Sequence, residues 1–188
     1  MRKAWLLGMG WLAAACSSNT GTTPGQPAPR SRYFALNSFL EEQAKQLNQR
    51  QPGVTKQVRL RTGGQETTQV KQLDWRKELQ IFQQADITKP ALRGAYTVDS
   101  TVENGILRRR YQRRPGIEHP VRQLTVLSNG PQVVAVEAVI TQDNPLVYSN
   151  KTVELHCQNG QVASYRVNGV QKLVLFDSVR YAVSSRVQ

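Results

Sequence analysis

Asn-Gly occurs four times in the second half of the chain, at 104–105, 129–130, 159–160 and 168–169, and no other feature restricts the fold so sharply. Both residues tolerate positive φ, and a two-residue type I′ turn demands positive φ at both of its central positions. The dipeptide between two β-prone runs is therefore the strongest local signal for a hairpin. Three of the four pairs lie directly between such runs; at the second, Pro131 follows Gly130 and predicts a looser loop. The β-prone runs fall at about 95–102, 106–112, 121–128, 132–141, 147–157, 161–167 and 170–183. Hairpins joined end to end make a meander, which predicts one antiparallel sheet, strongly curved or partly closed.

Turn length fixes register. A two-residue turn at 159–160 sets Cys157 opposite Val162 and Leu155 opposite Ser164, and one at 168–169 adds Leu173 and Leu175 to the same face. Side chains alternate, so this apolar face carries Cys157 at its centre, and Glu154, Tyr165 and Lys172 take the polar face. The run LVLF at 173–176 is apolar on both faces and predicts a covering helix over that part of the sheet.

Two amphipathic helices precede the sheet. Ser38 and Glu41 have the spacing of a capping box, and Leu40, Ala44 and Leu47 follow on one helical stripe that Pro52-Gly53 stops. A second helix is expected at about 75–85, capped by Asp74, with Trp75, Leu79 and Phe82 on one side. Between them VTKQVRLRT and TTQVKQL flank Gly63-Gly64 as a hairpin. The expected class is α+β, mainly β.

Before all this the chain opens with Arg2-Lys3, a short apolar run and then Ala13-Ala14-Ala15-Cys16-Ser17-Ser18. The run is far shorter than the roughly 20 apolar residues that span a bilayer, so it reads as a targeting segment. It resembles the signal of bacterial lipoproteins, whose final four positions form the lipobox. Ala13 stands where that family prefers Leu. The resemblance covers residues 1–18 and implies cleavage after Ala15, acylation of Cys16 and attachment to a membrane; Ser17 behind the Cys implies the outer membrane of a Gram-negative envelope. Residues 16–32 then form the lipidated Cys and a tether rich in Ser, Thr, Pro and Gly, which as a coil spans on the order of 20–25 Å. Residues 33–188 form a single folded domain. Acylation would use one of only two cysteines, which agrees with Cys157 as a small buried hydrophobe instead of half of a disulfide.

The chain carries a net charge of +12, or +10 once Arg2 and Lys3 are removed, which favours polyanionic partners. Five arginines crowd ILRRRYQRRP: Arg108, Arg109, Arg110, Arg113 and Arg114. On a strand they occupy both faces, which places them at a sheet edge or on a projecting hairpin. Charge in such a place also guards against edge-to-edge pairing. Read functionally they form an anion-binding patch, for which anionic lipid headgroups, lipopolysaccharide or acidic glycans suit an exported chain, and an envelope protein is a further candidate partner. Nucleic acid suits it poorly, since aromatics do not alternate with the cations as stacking platforms. Asn150-Lys151-Thr152 fits the N-glycosylation pattern, to which a bacterial-type anchor gives no use.

For catalysis the residues offer little. His156 and Cys157 are strand neighbours and point to opposite faces, His119 has no carboxylate or thiol cluster beside it, and no Gly-x-Ser-x-Gly, phosphate loop or dinucleotide fingerprint occurs. No metal or cofactor is expected. The residues favour a non-enzymatic, lipid-anchored envelope protein with a basic surface. The alternatives are a half-barrel carrier of apolar ligands, similar in outline to periplasmic lipoprotein carriers, and an enzyme with a dispersed site.

Overall fold

The computed structural model describes residues 33–60 and 64–188. The signal and tether, Cys16 among them, and the Gly63 end of the first hairpin lie outside the described residues.

Helix α1 (Leu36–Arg50) starts two residues before Ser38, which therefore stands in the first turn and caps nothing. Packing decides this start. Leu36 extends the stripe of Leu40, Gln43, Ala44 and Leu47 by one turn, and all five are buried. Adjacent Asn37 donates to the Asp86 carboxylate at 2.9 Å, which holds the early turn in place. At the other end Gln51 takes the left-handed conformation (φ 47°) before Pro52-Gly53. The second expected helix is broken at Leu79 into α2 (Trp75–Glu78) and α3 (Gln80–Gln83), with a turn of 3-10 helix at Pro90–Leu92. Asp74 caps α2 as its sequence predicts, accepting from the N–H groups of Arg76 and Lys77. Trp75, Leu79 and Phe82 are all buried.

Among the described residues nine strands form one antiparallel sheet: β1 (Val54–Leu60), β2 (Gln65–Val70), β3 (Tyr96–Glu103), β4 (Ile106–Arg113), β5 (Val121–Asn129), β6 (Gln132–Asp143), β7 (Val147–Gln158), β8 (Gln161–Leu173) and β9 (Val179–Val187). Their order is β2-β1-β9-β8-β7-β6-β5-β4-β3, so the sheet stays open with β2 and β3 at its edges. From β3 to β9 every neighbour is sequential, which is the expected meander. The first hairpin then joins at the far side, β1 against β9.

Asn104-Gly105 and Asn159-Gly160 have positive φ at both residues (51° and 78°; 53° and 77°), as type I′ turns require. At the second pair Asn129 pairs with Gln132, so Gly130-Pro131 is a two-residue turn and not a loop. Gly130 supplies the positive φ at the first central position, where a type II′ turn needs it, and Pro131 suits the second. The fourth pair makes no turn at all. Asn168 and Gly169 run straight through β8, and the chain reverses at 174–178 instead. Gly169 faces Tyr181 of β9, whose ring lies so close that a Cβ on Gly169 would meet it at 2.5 Å. The glycine serves a close approach, the second use of glycine inside a strand.

These corrections move residues between faces. Cys157 does pair with Val162 and is buried. A bulge between His156 and Cys157 then sets Leu155 opposite Tyr165, not Ser164, so Tyr165 belongs to the core. With no turn at 168–169, Leu173 pairs with Val147, still on the helix-side face but 40% exposed, and Leu175 lies in the β8–β9 loop, 97% exposed. No described helix covers LVLF. The core lies between the helices and one face of the sheet, where Trp75, Phe82, Leu40, Leu47, Tyr111 and Leu155 are each at most 1% exposed. That is the space in which a half-barrel carrier would hold its cargo, and side chains occupy it.

Candidate functional site

Direct partners in an antiparallel sheet share a face, so the register sorts every side chain as facing the helices or facing outward. One outward row crosses the sheet from Asp99, Arg110, Thr125 and Glu137 to Glu154, Arg166, Ser184 and Gln57. The rows above and below it are also mostly polar, and the charges along them are segregated. Outward positions on β8, β9 and β1 include Arg59, Arg166, Lys172, Arg180 and Arg186 and no acidic residue.

This basic half of the outer face is grooved. A cavity of about 510 Å³ is lined by Thr55, Gln57, Glu154, His156, Ser164, Arg166, Ser184 and Arg186 among others. A second, of about 340 Å³, is lined by Arg59, Gln65 and Asn168, and shares Gln57, Arg166 and Ser184 with the first. Alternation on three neighbouring strands builds the wall: Thr55-Gln57-Arg59, Ser164-Arg166-Asn168 and Ser184-Arg186. Glu154 is the one carboxylate, 3.7 Å from the half-exposed Arg166 guanidinium. Such a weak surface pair leaves the guanidinium available to a ligand. Ser164 faces His156 across the ladder, but no hydrogen bond joins them. The groove therefore offers guanidinium forks, hydroxyls and amides along an open channel. That set binds and orients; it does not assemble an activated nucleophile.

The five arginines of β4 and its end do not converge. β4 is one strand in from the edge, which β3 occupies. Arg108 and Arg110 point outward, Arg110 opposite Asp99, whereas Arg109 and Arg113 share the helix-side face with Tyr111. Arg109 stands beside the Tyr111 hydroxyl, whose pKa burial nevertheless raises. Arg113 donates to the His119 carbonyl, and Arg114 begins the following loop, its N–H bonded to the Ala95 carbonyl at 2.9 Å.

His119 packs against Tyr96, with Nδ1 2.8 Å from the phenolic oxygen, and Tyr96 donates to the Val121 carbonyl at 2.7 Å. Burial lowers the His119 pKa, assisted by Lys89 and Arg113, and burial pushes Tyr96 up to about 12. The cluster pins the β4–β5 loop. Beneath α2, Glu78 accepts from Lys56 at 2.7 Å and from Tyr165 at 2.5 Å, tying helix to sheet. Cys157 is a free thiol whose pKa burial pushes up to about 12. Among the described residues no three His, Cys, Asp or Glu side chains gather as a metal site.

The outward residues of β1, β8 and β9 carry no motif, which is why the groove escapes a search for motifs. Its one sequence signal is polar alternation at period two in Thr55-Gln57-Arg59 and Ser164-Arg166-Asn168. No family model, curated protein or solved structure matches the chain.

Proposed function

We propose that the chain is a lipid-anchored binding module of the bacterial cell envelope, and that its outer groove takes a segment of acidic glycan. The observation that carries this is the segregation of outward charge: five basic side chains and no acidic one on β8, β9 and β1, beside a channel lined by hydroxyls and amides. Guanidinium groups pair bidentately with carboxylate or phosphate, and Ser, Thr, Gln and Asn can bridge sugar hydroxyls. An acyl chain would gain little from such a lining. The lipobox pattern ending at Cys16 supports the anchor, and Ser17 supports the outer membrane. No catalytic step and no cofactor is assigned.

Titration calorimetry of the purified full chain with an acidic oligosaccharide such as oligogalacturonate tests the groove. We expect binding that weakens with salt and falls about tenfold or more for Arg166→Ser or Arg186→Ser. Arg108→Ser, on the same face four strands away from β8, should change it little. Equal affinity for a neutral oligosaccharide, or indifference to both groove substitutions, would refute the assignment. Intact mass of the membrane-extracted protein tests acylation of Cys16 separately.

A further inference from the structure

We infer that one end of the sheet inserts two apolar loops into the surface of an anionic bilayer. The inference does not rest on the groove; it takes from the anchor only that a bilayer is within reach. Leu146 in the β6–β7 loop and Leu173, Val174, Leu175, Phe176 and Val179 around the β8–β9 loop form one apolar tip. The loops are joined, the Val174 N–H donating to the Leu146 carbonyl at 3.0 Å and Val147 pairing with Leu173. Leu175, Leu146 and Phe176 are 97%, 70% and 69% exposed. Contiguous apolar exposure of this kind marks a surface that something covers. The tip projects, so it cannot enclose a small ligand.

Leu175 also stands at φ 70°, an uncommon and costly conformation for a bulky residue, and one that Gly or Asn would adopt freely. The loop thus carries backbone strain at the position where its most exposed apolar side chain is presented.

Charge and chain path select the bilayer as the occupant. Across the loops and the strand ends that carry them, Lys172 and Arg180 are balanced by Asp143 and Asp177, so this end of the two hairpins has no net charge. On the β3–β5 side of the same sheet end, the strand ends and loops carry Lys89, Arg93, Arg113, Arg114 and Arg122 against Glu118 and the buried Asp86. An apolar tip without net charge on a basic shoulder is the layout of a surface anchor beside anionic headgroups. Tyr33, the first described residue, is hydrogen-bonded to the backbone of Tyr96, which pairs with Arg113 at this end. The segment leading back to Cys16 therefore joins the domain on the side that carries the tip.

Phe176→Trp in the full chain provides the probe, read as the difference from the parent chain so that Trp5, Trp11 and the fully buried Trp75 cancel. With phosphatidylcholine–phosphatidylglycerol vesicles in excess, its emission should shift to the blue and be quenched by lipids brominated near the headgroup. Leu175→Asp in that background should abolish the response and leave Trp75 emission unchanged. Emission indifferent to vesicles and quencher overturns the inference. So does a shift seen in native envelope membranes but not in pure lipid, which would mark a protein partner. An equal response in pure phosphatidylcholine overturns the anionic preference. Excess lipid lets the probe report whether or not Cys16 is acylated, and intact mass of the same sample shows which holds.

Discussion

Gly169→Ala separates two uses of Asn-Gly that the bare dipeptide cannot distinguish. In a type I′ turn the glycine is needed for its positive φ, as at Gly105, where φ is 78° and the space around a Cβ is open. At Gly169 the backbone is extended and the obstacle is Tyr181: a Cβ would lie 2.5 Å from Cζ and Oη and 2.9 Å from Cε1. Ordinary contact needs about 3.5–4 Å, so the ring must retreat by roughly 1 Å and give up its packing on the strand. Such overpacking costs about 1–3 kcal/mol. Against this, Ala in extended backbone gains about 0.5–1 kcal/mol over Gly. The expected net loss is about 1–2 kcal/mol. Once Tyr181→Ala has removed the ring, only the gain remains, and Gly169→Ala should stabilise by about 0.5 kcal/mol. Urea unfolding of the four proteins in this cycle should give a coupling of about 2 kcal/mol. Gly105→Ala should cost about 1 kcal/mol in either background. If Gly169→Ala costs the same with and without the Tyr181 ring, the residue is a turn glycine and the continuous β8 is wrong.

Two further outcomes follow from buried polar groups. Burial raises Cys157 from about 9 to about 12 and Tyr96 from about 10 to about 12, so the unfolded chain releases these protons first. Their contribution to stability is complete below about pH 9 and is lost as pH rises towards 12, at about 1.4 kcal/mol per pH unit for each group. Denaturation at pH 8 and pH 10.5 measures the loss, and Cys157→Ala should remove its lower-pH portion; stability that is flat across the interval contradicts the burial of both. Glu78→Gln leaves the Lys56 ammonium, only 25% exposed, without its counter-charge and should destabilise by about 1–3 kcal/mol. Lys56→Met alongside it should recover most of that loss, and an effect of Glu78→Gln alone below about 0.5 kcal/mol would mean that the pair is solvated.

The meander was readable because Asn104-Gly105 and Asn159-Gly160 sit between runs of the right length, and local φ chemistry decides them. Gly169 failed the same test because its requirement is set by Tyr181, twelve residues later and on another strand. That one error displaced Leu173 and Leu175 from the exposed tip into an imagined core. The bulge at His156–Cys157 was equally silent, and it exchanged Ser164 for Tyr165 opposite Leu155. Ser38 and Glu41 had capping-box spacing, but burial of Leu36 outweighs a cap worth about 1 kcal/mol. The arginine run drew attention through density, yet alternation divides it between two faces. Arg166 and Arg186 come together across the β8–β9 pairing, and Arg59 joins their face only because β1 pairs with β9, a pairing that no local pattern announces.

The same pairing has a consequence for timing. β1 is made early, but its neighbour on the sheet is the last strand, and Gln188 closes the seam by donating its N–H to the Gly53 carbonyl. β1 and β2 alone are a two-stranded ribbon, which is marginal in water. They can complete their half of the groove only after the C-terminal residues arrive, at the cost of closing a loop of more than a hundred residues. Until β9 has been made, β1 and β2 have no strand of the meander to join. For the exported protein proposed above, late closure of this seam would keep the chain competent for passage across a membrane.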